Sequence, residues 1–338
     1  MLDYLVERAA SRWSQWFPGE NSGHPTPLLL AGGPAHGDRV SVLLFGSGRS
    51  PRAIMKIGFN PREAKFLEAE YGAMDGLRPQ LPAALRTAMP RALDLISLPS
   101  VTAMAAEVLP GKRLVIPPLT GSVSRTAVRV MDSVFRRSFR FCRQLAEATV
   151  ADEKSDSSPL VGIVERFGDR FASSNAGLAD AIEHFRGLLS DAEMAWSPAW
   201  QHQDVAVGNL LEDGGRLLFL DWEHAAPGCV PWFDVAYTPV ATAHLALRVD
   251  HLPSIRDAAF GVLGSGTPIG MTLRGRMEEI WDYPLPISWA VTLAGMEGAL
   301  RRLDDERVQE PEYAELVELL LTDAARSEEL AWLDPLRG

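Results

Sequence analysis

Two cysteines are all that this chain of 338 residues carries. Cys142 and Cys229 stand far apart and in no Cys-x-x-Cys spacing. That leaves neither a disulfide framework nor a thiolate zinc site, and makes a reducing cytoplasm the expected compartment. Basic charge is also short: 33 Lys and Arg face 44 Asp and Glu, a formal net charge of −11. Such a balance argues against nucleic acid as a partner, because phosphate contacts need a basic surface. No apolar run approaches the ~20 residues of a membrane-spanning helix. The first residues, with Asp3, Glu7 and Arg8, lack the basic leader and apolar core of a targeting segment. There is no Gly-x-Ser-x-Gly elbow and no His-Glu-x-x-His pair, which speaks against a serine or zinc hydrolase. Neither an internal repeat nor a low-complexity tract occurs.

What the chain does have is a globular composition, 46% hydrophobic, and more length than one ordinary core needs, so two domains are expected. Leu2, Leu5, Val6, Ala9, Ala10 and Trp13 recur at helical spacing and predict a helix over 2–17, stopped by Pro18-Gly19. Strands are predicted over 28–31, 40–45 and 53–57, a helix over 62–77, a Pro-punctuated connection over 79–90, and two further strands over 92–96 and 101–108. The Gly-rich turn after the first strand, Gly32 to Asp38 with Gly33 as its binding candidate, can offer backbone N–H groups to a triphosphate. From residue 123 onward the pattern is helical: 123–150, 160–173, 176–191, 235–262, 270–282, 287–303 and 310–333, with a polar loop or insert at 152–159. Arg125, Arg129, Arg136, Arg140 and Arg143 share roughly one face of the first of these helices, which reads as a solvated basic face, with a site for an anion or an acidic partner as the sharper alternative.

The chemistry is concentrated between Trp200 and Glu223. His202, Asp204 and Asn209 stand in the order His-x-Asp-x-x-x-x-Asn, and a short apolar strand then delivers Asp221. Phosphoryl transfer asks a protein for positioning and charge neutralisation, so its minimum set is a base near the acceptor hydroxyl and oxygen ligands for Mg2+. Asp204 supplies the first; Asn209 and Asp221 supply the second, as the hard donors Mg2+ prefers. The Glu212-Asp213-Gly214-Gly215 run predicts a hairpin turn that carries Asn209 and Asp221 to neighbouring strand ends. His202 is read as a brace for the loop, and Glu223 either as a further metal ligand or as a residue facing water.

Four stretches resemble one family: His202-Gln203-Asp204, Asn209-Leu210-Leu211, Leu220-Asp221-Trp222-Glu223 and Phe233-Asp234-Val235-Ala236. They are similar to the aminoglycoside phosphotransferase-like small-molecule kinases, which include choline, ethanolamine and homoserine kinases. The Asp-Trp-Glu triplet, standing where protein kinases carry Asp-Phe-Gly, points to that small-molecule branch. The resemblance implies an α+β, two-lobed, protein-kinase-like fold with an antiparallel five-stranded sheet and helix at the N-terminus and a mainly helical C-terminal lobe. It places nucleotide binding in 1–110, and the catalytic loop and acceptor site in 111–338.

The same resemblance assigns roles. Lys56 contacts the α- and β-phosphates of ATP or GTP and pairs with a glutamate on the next helix; Glu70 is chosen, with Glu63 in reserve and Glu68 as a competitor. Glu107 opens a hinge, Glu107 to Gly111, whose backbone groups meet the nucleotide base, and Asp234 braces the catalytic loop. The acceptor is a hydroxyl-bearing small molecule. Glu278, Glu279, Asp282 and Glu297 could receive a polycation, whereas Trp281, Tyr283 and Trp289 could cage a quaternary ammonium. A catalytically weak nucleotide-binding pseudokinase is the alternative.

Overall fold

The computed structural model describes residues 1–20, 24–30, 38–173, 175–304, 311–324 and 327–336. The chain forms two compact units, one of Met1–Lys112 with Leu218–Ala225, the other of Arg113–Leu217 with Ala226–Gly338.

The first unit is built on a sheet of β1 (Thr26–Leu30), β2 (Arg39–Phe45), β3 (Pro51–Gly58), β4 (Ala92–Leu98) and β5 (Val101–Glu107) in the order β1-β2-β3-β5-β4. Every neighbouring pair is antiparallel. Along β3 the side chains alternate between faces: Ala53, Met55 and Ile57 are buried against helix α1 (Leu2–Trp16). The helix meets them with Leu5, Ala9, Trp13 and Trp16, one stripe at a period near 3.6. Lys56, in the alternate register, therefore faces away from that apolar core. On its side lies α2 (Pro61–Leu77), packed on β3, β4, β5 and the turn Trp222–His224. The Asn60 side chain caps α2 by accepting from the Glu63 amide, and Pro61 pre-sets the first turn. In the connection at 79–90, where no helix is predicted, a single turn α3 (Ala83–Arg86) forms because the Arg78 guanidinium ties down the carbonyls of Arg86 and Met89.

The second unit is largely helical: α4 (Arg125–Thr149), α5 (Ser158–Phe171), α6 (Ala176–Asp191), α7 (Phe233–Val249), α8 (Ile255–Leu263), α9 (Pro268–Ile280), α10 (Ile287–Asp304) and α11 (Glu312–Thr322). Its strands are short. β6 (Lys112–Arg113), β8 (Leu210–Asp213) and β9 (Arg216–Phe219) share one small sheet, and β7 (Ala199–Gln201) pairs with β10 (Ala226–Cys229). Between β8 and β9 the turn falls on Gly214 and Gly215, both at positive φ (54° and 83°). Helix α7 is buried continuously from Phe233 to Ala243, which makes it the centre of the unit.

Two predicted helices divide. The stretch 235–262 breaks after Val249: Asp250 accepts from both the Leu119 and Thr120 amides, His251 turns at φ 51°, Pro253 follows, and Ser254 caps α8. The stretch 310–333 keeps helix only to Thr322, with a short 3-10 turn at Ala331–Leu333. The polar loop after α4 is anchored by paired hydrogen bonds between the Ser155 and Trp196 backbones (2.8 and 3.1 Å). Among the described residues no helix is long and apolar enough to cross a membrane.

Trp13 is fully buried, with the Trp16 and Phe17 rings against it. Trp13→Ala should cost about 3–5 kcal/mol, the usual loss for removing a large aromatic from a packed core. Urea denaturation of parent and variant measures it; a loss below about 1 kcal/mol would contradict this packing.

Candidate active site

In the first unit a half-buried lysine organises a cluster of opposite charge. Lys56 Nζ donates to both carboxylate oxygens of Glu70 (2.8 and 2.7 Å) and to Asp221 Oδ1 (2.9 Å). Of the three glutamates considered on α2, Glu68 is exposed and Glu63 is turned to another partner, so Glu70 alone among them meets the ammonium. Burial works against the Lys56 charge, but Glu70 and Asp221 outweigh it and hold its pKa above the ordinary value. Asp221 sits at φ 62°, ψ 65°, a left-handed conformation that costs an Asp roughly 1 kcal/mol or more. Directly after it, Trp222 is fully buried and donates to the Phe219 carbonyl (3.0 Å), which fixes the turn presenting Asp221.

Beside this cluster lies a second buried ion pair that sequence reasoning missed. Arg39, at the start of β2, donates to Glu63 (2.6 Å) and to Glu223 (2.8 Å). Glu223 therefore faces neither water alone nor a cation alone: one oxygen is held by Arg39, and the other lies 3.8 Å from His224 Nε2. Ligand oxygens of Glu70, Asp221 and Glu223 lie within 4.8 Å of one another, an arrangement of hard donors suited to a small divalent cation.

In the second unit the loop after β7 is held from beneath by Asp234, fully buried at the start of α7. Its carboxylate accepts from the His202 amide and the Gln203 amide, both at 2.7 Å, while its own amide donates to Gln201 Oε1 (3.0 Å). Burial pushes the Asp234 carboxyl up, against the pull of His202 and these two amides. The clamp holds Gln203 at φ 63°, and Arg301 secures the same residue by donating to its carbonyl (2.9 Å). His202 is fully buried, and its Nδ1 accepts from the Asp204 amide at 3.3 Å. The Asn209 side-chain Nδ2 donates to Asp204 Oδ2 (2.8 Å) and to the Asp204 carbonyl (3.1 Å). Asn209 Oδ1 is thus the atom left over for another donor or a cation. The other Asp204 oxygen lies 3.8 Å from Arg302, which is stacked over Tyr313 and reaches the hydroxyls of Tyr237 and Tyr313. No motif marks Arg39, Arg301 or Arg302 in the sequence.

Cysteine chemistry has no place here. Cys142 is buried, and burial pushes the Cys229 thiol up to about 12, far from thiolate reactivity. The residues considered for the acceptor are engaged elsewhere. Glu278 pairs with Arg274, Glu279 with Arg276, Asp282 with Arg143, and Glu297 with Arg166. Trp289 is buried against Phe185, and Trp281 donates to the Leu285 carbonyl while its ring packs on Trp232 and Tyr283. Tyr283 is partly buried beside Trp281.

Comparison with known proteins bears on this arrangement. Residues 33–262 match the model of the phosphotransferase enzyme family APH. The chain belongs to that family. No curated protein matches it. Among solved structures, an aminoglycoside phosphotransferase APH(4)-Ia mutant, in ternary complex with ADP and hygromycin B, is 14% identical, covers 99% of this chain and 98% of its own, and has a TM-score of 0.56. The macrolide 2'-phosphotransferase MphH from Brachybacterium faecium is 20% identical over 95% of this chain and 98% of its own, at 0.50. Amicoumacin kinase hAmiN, in complex with AMP-PNP, Ca2+ and Ami, is 10% identical over 86% of this chain and 87% of its own, at 0.51. These likenesses establish the kinase-like fold.

Glu107 ends β5 opposite Ala53, and its amide donates to the Arg91 carbonyl (2.9 Å), so that N–H is committed to the protein. Gly33 lies outside the described residues.

The Glu70 carboxyl carries a pH prediction. Burial pushes it up, Lys56 opposes the rise and Asp221 adds to it, with the result near 7 against an ordinary 4.5. A carboxyl whose folded pKa lies above its unfolded one gives stability that is complete at acid pH and is lost as pH climbs from the unfolded value through the folded one. The raised Lys56 pKa changes nothing below its ordinary 10.5, so it stays out of this window. Urea stability should therefore fall between pH 5 and 8 more steeply in the parent than in Glu70→Gln. Equal slopes would contradict the assignment.

Proposed function

We propose that this protein is a small-molecule kinase that moves the γ-phosphoryl group of ATP or GTP to a hydroxyl group. The observation that carries the reading is Lys56, a largely buried ammonium held between Glu70 and Asp221. Its charge is fixed on and aimed by two carboxylates, which suits it to receive phosphate oxygens. Residues 1–110 take the nucleotide, with the Glu107 hinge on the base. Residues 111–338 supply the catalytic loop and the acceptor site.

Asp204 is the base. With Oδ2 held by Asn209, its carboxylate has a fixed orientation, and Oδ1 is the atom that takes the proton of the acceptor hydroxyl as that oxygen attacks phosphorus. His202 and Asp234 maintain the loop geometry from within the protein. Asn209 and Asp221 would hold Mg2+, with Glu223 as a further ligand, because carboxylate and side-chain amide oxygens are the hard donors such an ion takes; the oxygens of Asp221 and Glu223 lie within 4.8 Å of each other. When bound, Mg2+ neutralises phosphate charge. The acceptor is a hydroxyl compound that need not be a cation, since the acidic residues considered for cation binding are already paired with arginines. A reducing cytoplasm suits the two unpaired cysteines.

Asp221→Ala separates metal binding from folding. Lys56 keeps Glu70 as a partner in that variant, so the fold persists, while Mg2+-dependent nucleotide affinity should fall about 100-fold, the upper range for stripping a metal site of a supporting group. Calorimetric titration with a non-hydrolysable nucleotide, with and without Mg2+, makes the comparison. A folded Asp221→Ala protein with undiminished Mg2+ dependence would overturn the ligand assignment.

A further inference from the structure

The basic face of α4 finds no use in phosphoryl transfer, yet its charge is far out of balance with the rest of the chain. The helix carries six arginines and only two acidic residues, Asp132 and Glu147, in a protein whose net charge is −11. Arg136, Arg140 and Arg143 recur at intervals of four and three residues, the spacing that sets side chains above one another on one helix face. Arg276 of α9 joins them, and the four guanidinium groups line a single cavity of about 340 Å³ with Glu147 and Glu279.

These arginines fall into two pairs. Arg143 is fixed by Glu147 and Asp282, both at 2.8 Å, and Arg276 by Asp132 (2.7 Å) and Glu279. Those contacts hold the two guanidinium groups at the cavity wall. Arg136 and Arg140 are exposed, and among the described residues neither has an ion-pair or hydrogen-bond partner. Two unneutralised like charges one turn apart repel each other, and an anion seated between them removes that repulsion. Arginine, with its planar fork of donors, matches the paired oxygens of phosphate and carboxylate groups better than a point charge does.

We infer that this cavity is a binding site for a small polyanion bearing phosphate or carboxylate groups, gripped by Arg136 and Arg140 and oriented by Arg143 and Arg276. The concave shape, closed on two sides by α4 and α9, favours a compact molecule over an extended acidic chain. The inference is independent of the phosphotransferase reading, because none of these residues belongs to the Lys56 or Asp204 clusters.

The test is calorimetric titration of the full chain with inorganic pyrophosphate, free of divalent cations, beside the variant Arg136→Gln/Arg140→Gln. Both replaced residues are exposed and unpaired, so the variant should melt with the parent. Saturable binding in the parent that is roughly tenfold or more weaker in the variant is the expected result, on the scale of losing one charged hydrogen bond. Arg136→Lys/Arg140→Lys, which keeps the charge and loses the fork, should fall between the two. Binding of equal strength in parent and glutamine variant would place pyrophosphate elsewhere and overturn the inference. So would an absence of saturable binding, or a parent that binds polyglutamate but not pyrophosphate, which would make the face a docking surface for an acidic macromolecule.

Discussion

A buried ammonium cannot stand alone, and that constraint governs the first unit. Left without partners in a largely desolvated place, the Lys56 ammonium would either cost several kcal/mol or give up its proton. The fold answers by bringing two carboxylates from distant parts of the chain, Glu70 from α2 and Asp221 from the returning segment 218–225, to the same nitrogen. Everything around it serves that meeting: the alternation of β3 turns Lys56 away from the α1 core, Asn60 sets the start of α2, and buried Trp222 fixes the left-handed turn at Asp221. Arg39 repeats the solution next door with Glu63 and Glu223. Stripping such a charge of its partner typically costs about 3–5 kcal/mol, and the second carboxylate guards Lys56 against that loss when one of the two is removed.

In the second unit the corresponding constraint is backbone strain. Gln203 is held in a conformation that favours glycine, and the structure secures it on both sides, through Asp234 at its amide and Arg301 at its carbonyl. The reward is a loop in which Asp204 and Asn209 are oriented by bonds to each other and to buried groups. Asp204 is further tied, through Arg302, to the hydroxyl pair of Tyr237 and Tyr313 on α7 and α11. A site supported this way loses geometry when distant packing residues change, since its orientation is inherited from the helices beneath it.

The sequence made the family and the sheet-plus-helices architecture legible because both depend on local signals: period-two and period-3.6 apolar patterns, and short motifs with fixed spacing. Long-range charge partners were not legible in the same way. Glu63, Glu68 and Glu70 compete on α2, and the family pattern rather than any charge signal picks out Glu70; the register of α2 on the sheet brings that residue to Lys56 and Glu63 to Arg39. Arg39 and Arg302 carry no motif at all, because their partners lie 24 to 184 residues away along the chain or on other helices. The break inside 235–262 was hidden for a related reason: apolar periodicity runs through it, and the decisive event is Asp250 capturing two amides 130 and 131 residues earlier. The acidic stretch around Glu278 read as free charge because its arginine partners belong partly to another helix, α4.

The central claim is that Asp204 takes a proton from a small-molecule hydroxyl as that oxygen attacks the γ-phosphorus. The most direct measurement is phosphorus NMR of phosphoryl transfer from ATP and GTP across a panel of aminoglycosides, macrolides, amino alcohols, sugars and nucleosides, with the parent and Asp204→Asn run side by side. The account predicts a new phosphomonoester with one class of acceptor, and in the variant a rate lower by roughly 10²-fold or more with nucleotide affinity nearly unchanged. Transfer at the same rate in Asp204→Asn, or loss of nucleotide binding equal to the loss of turnover, would contradict it.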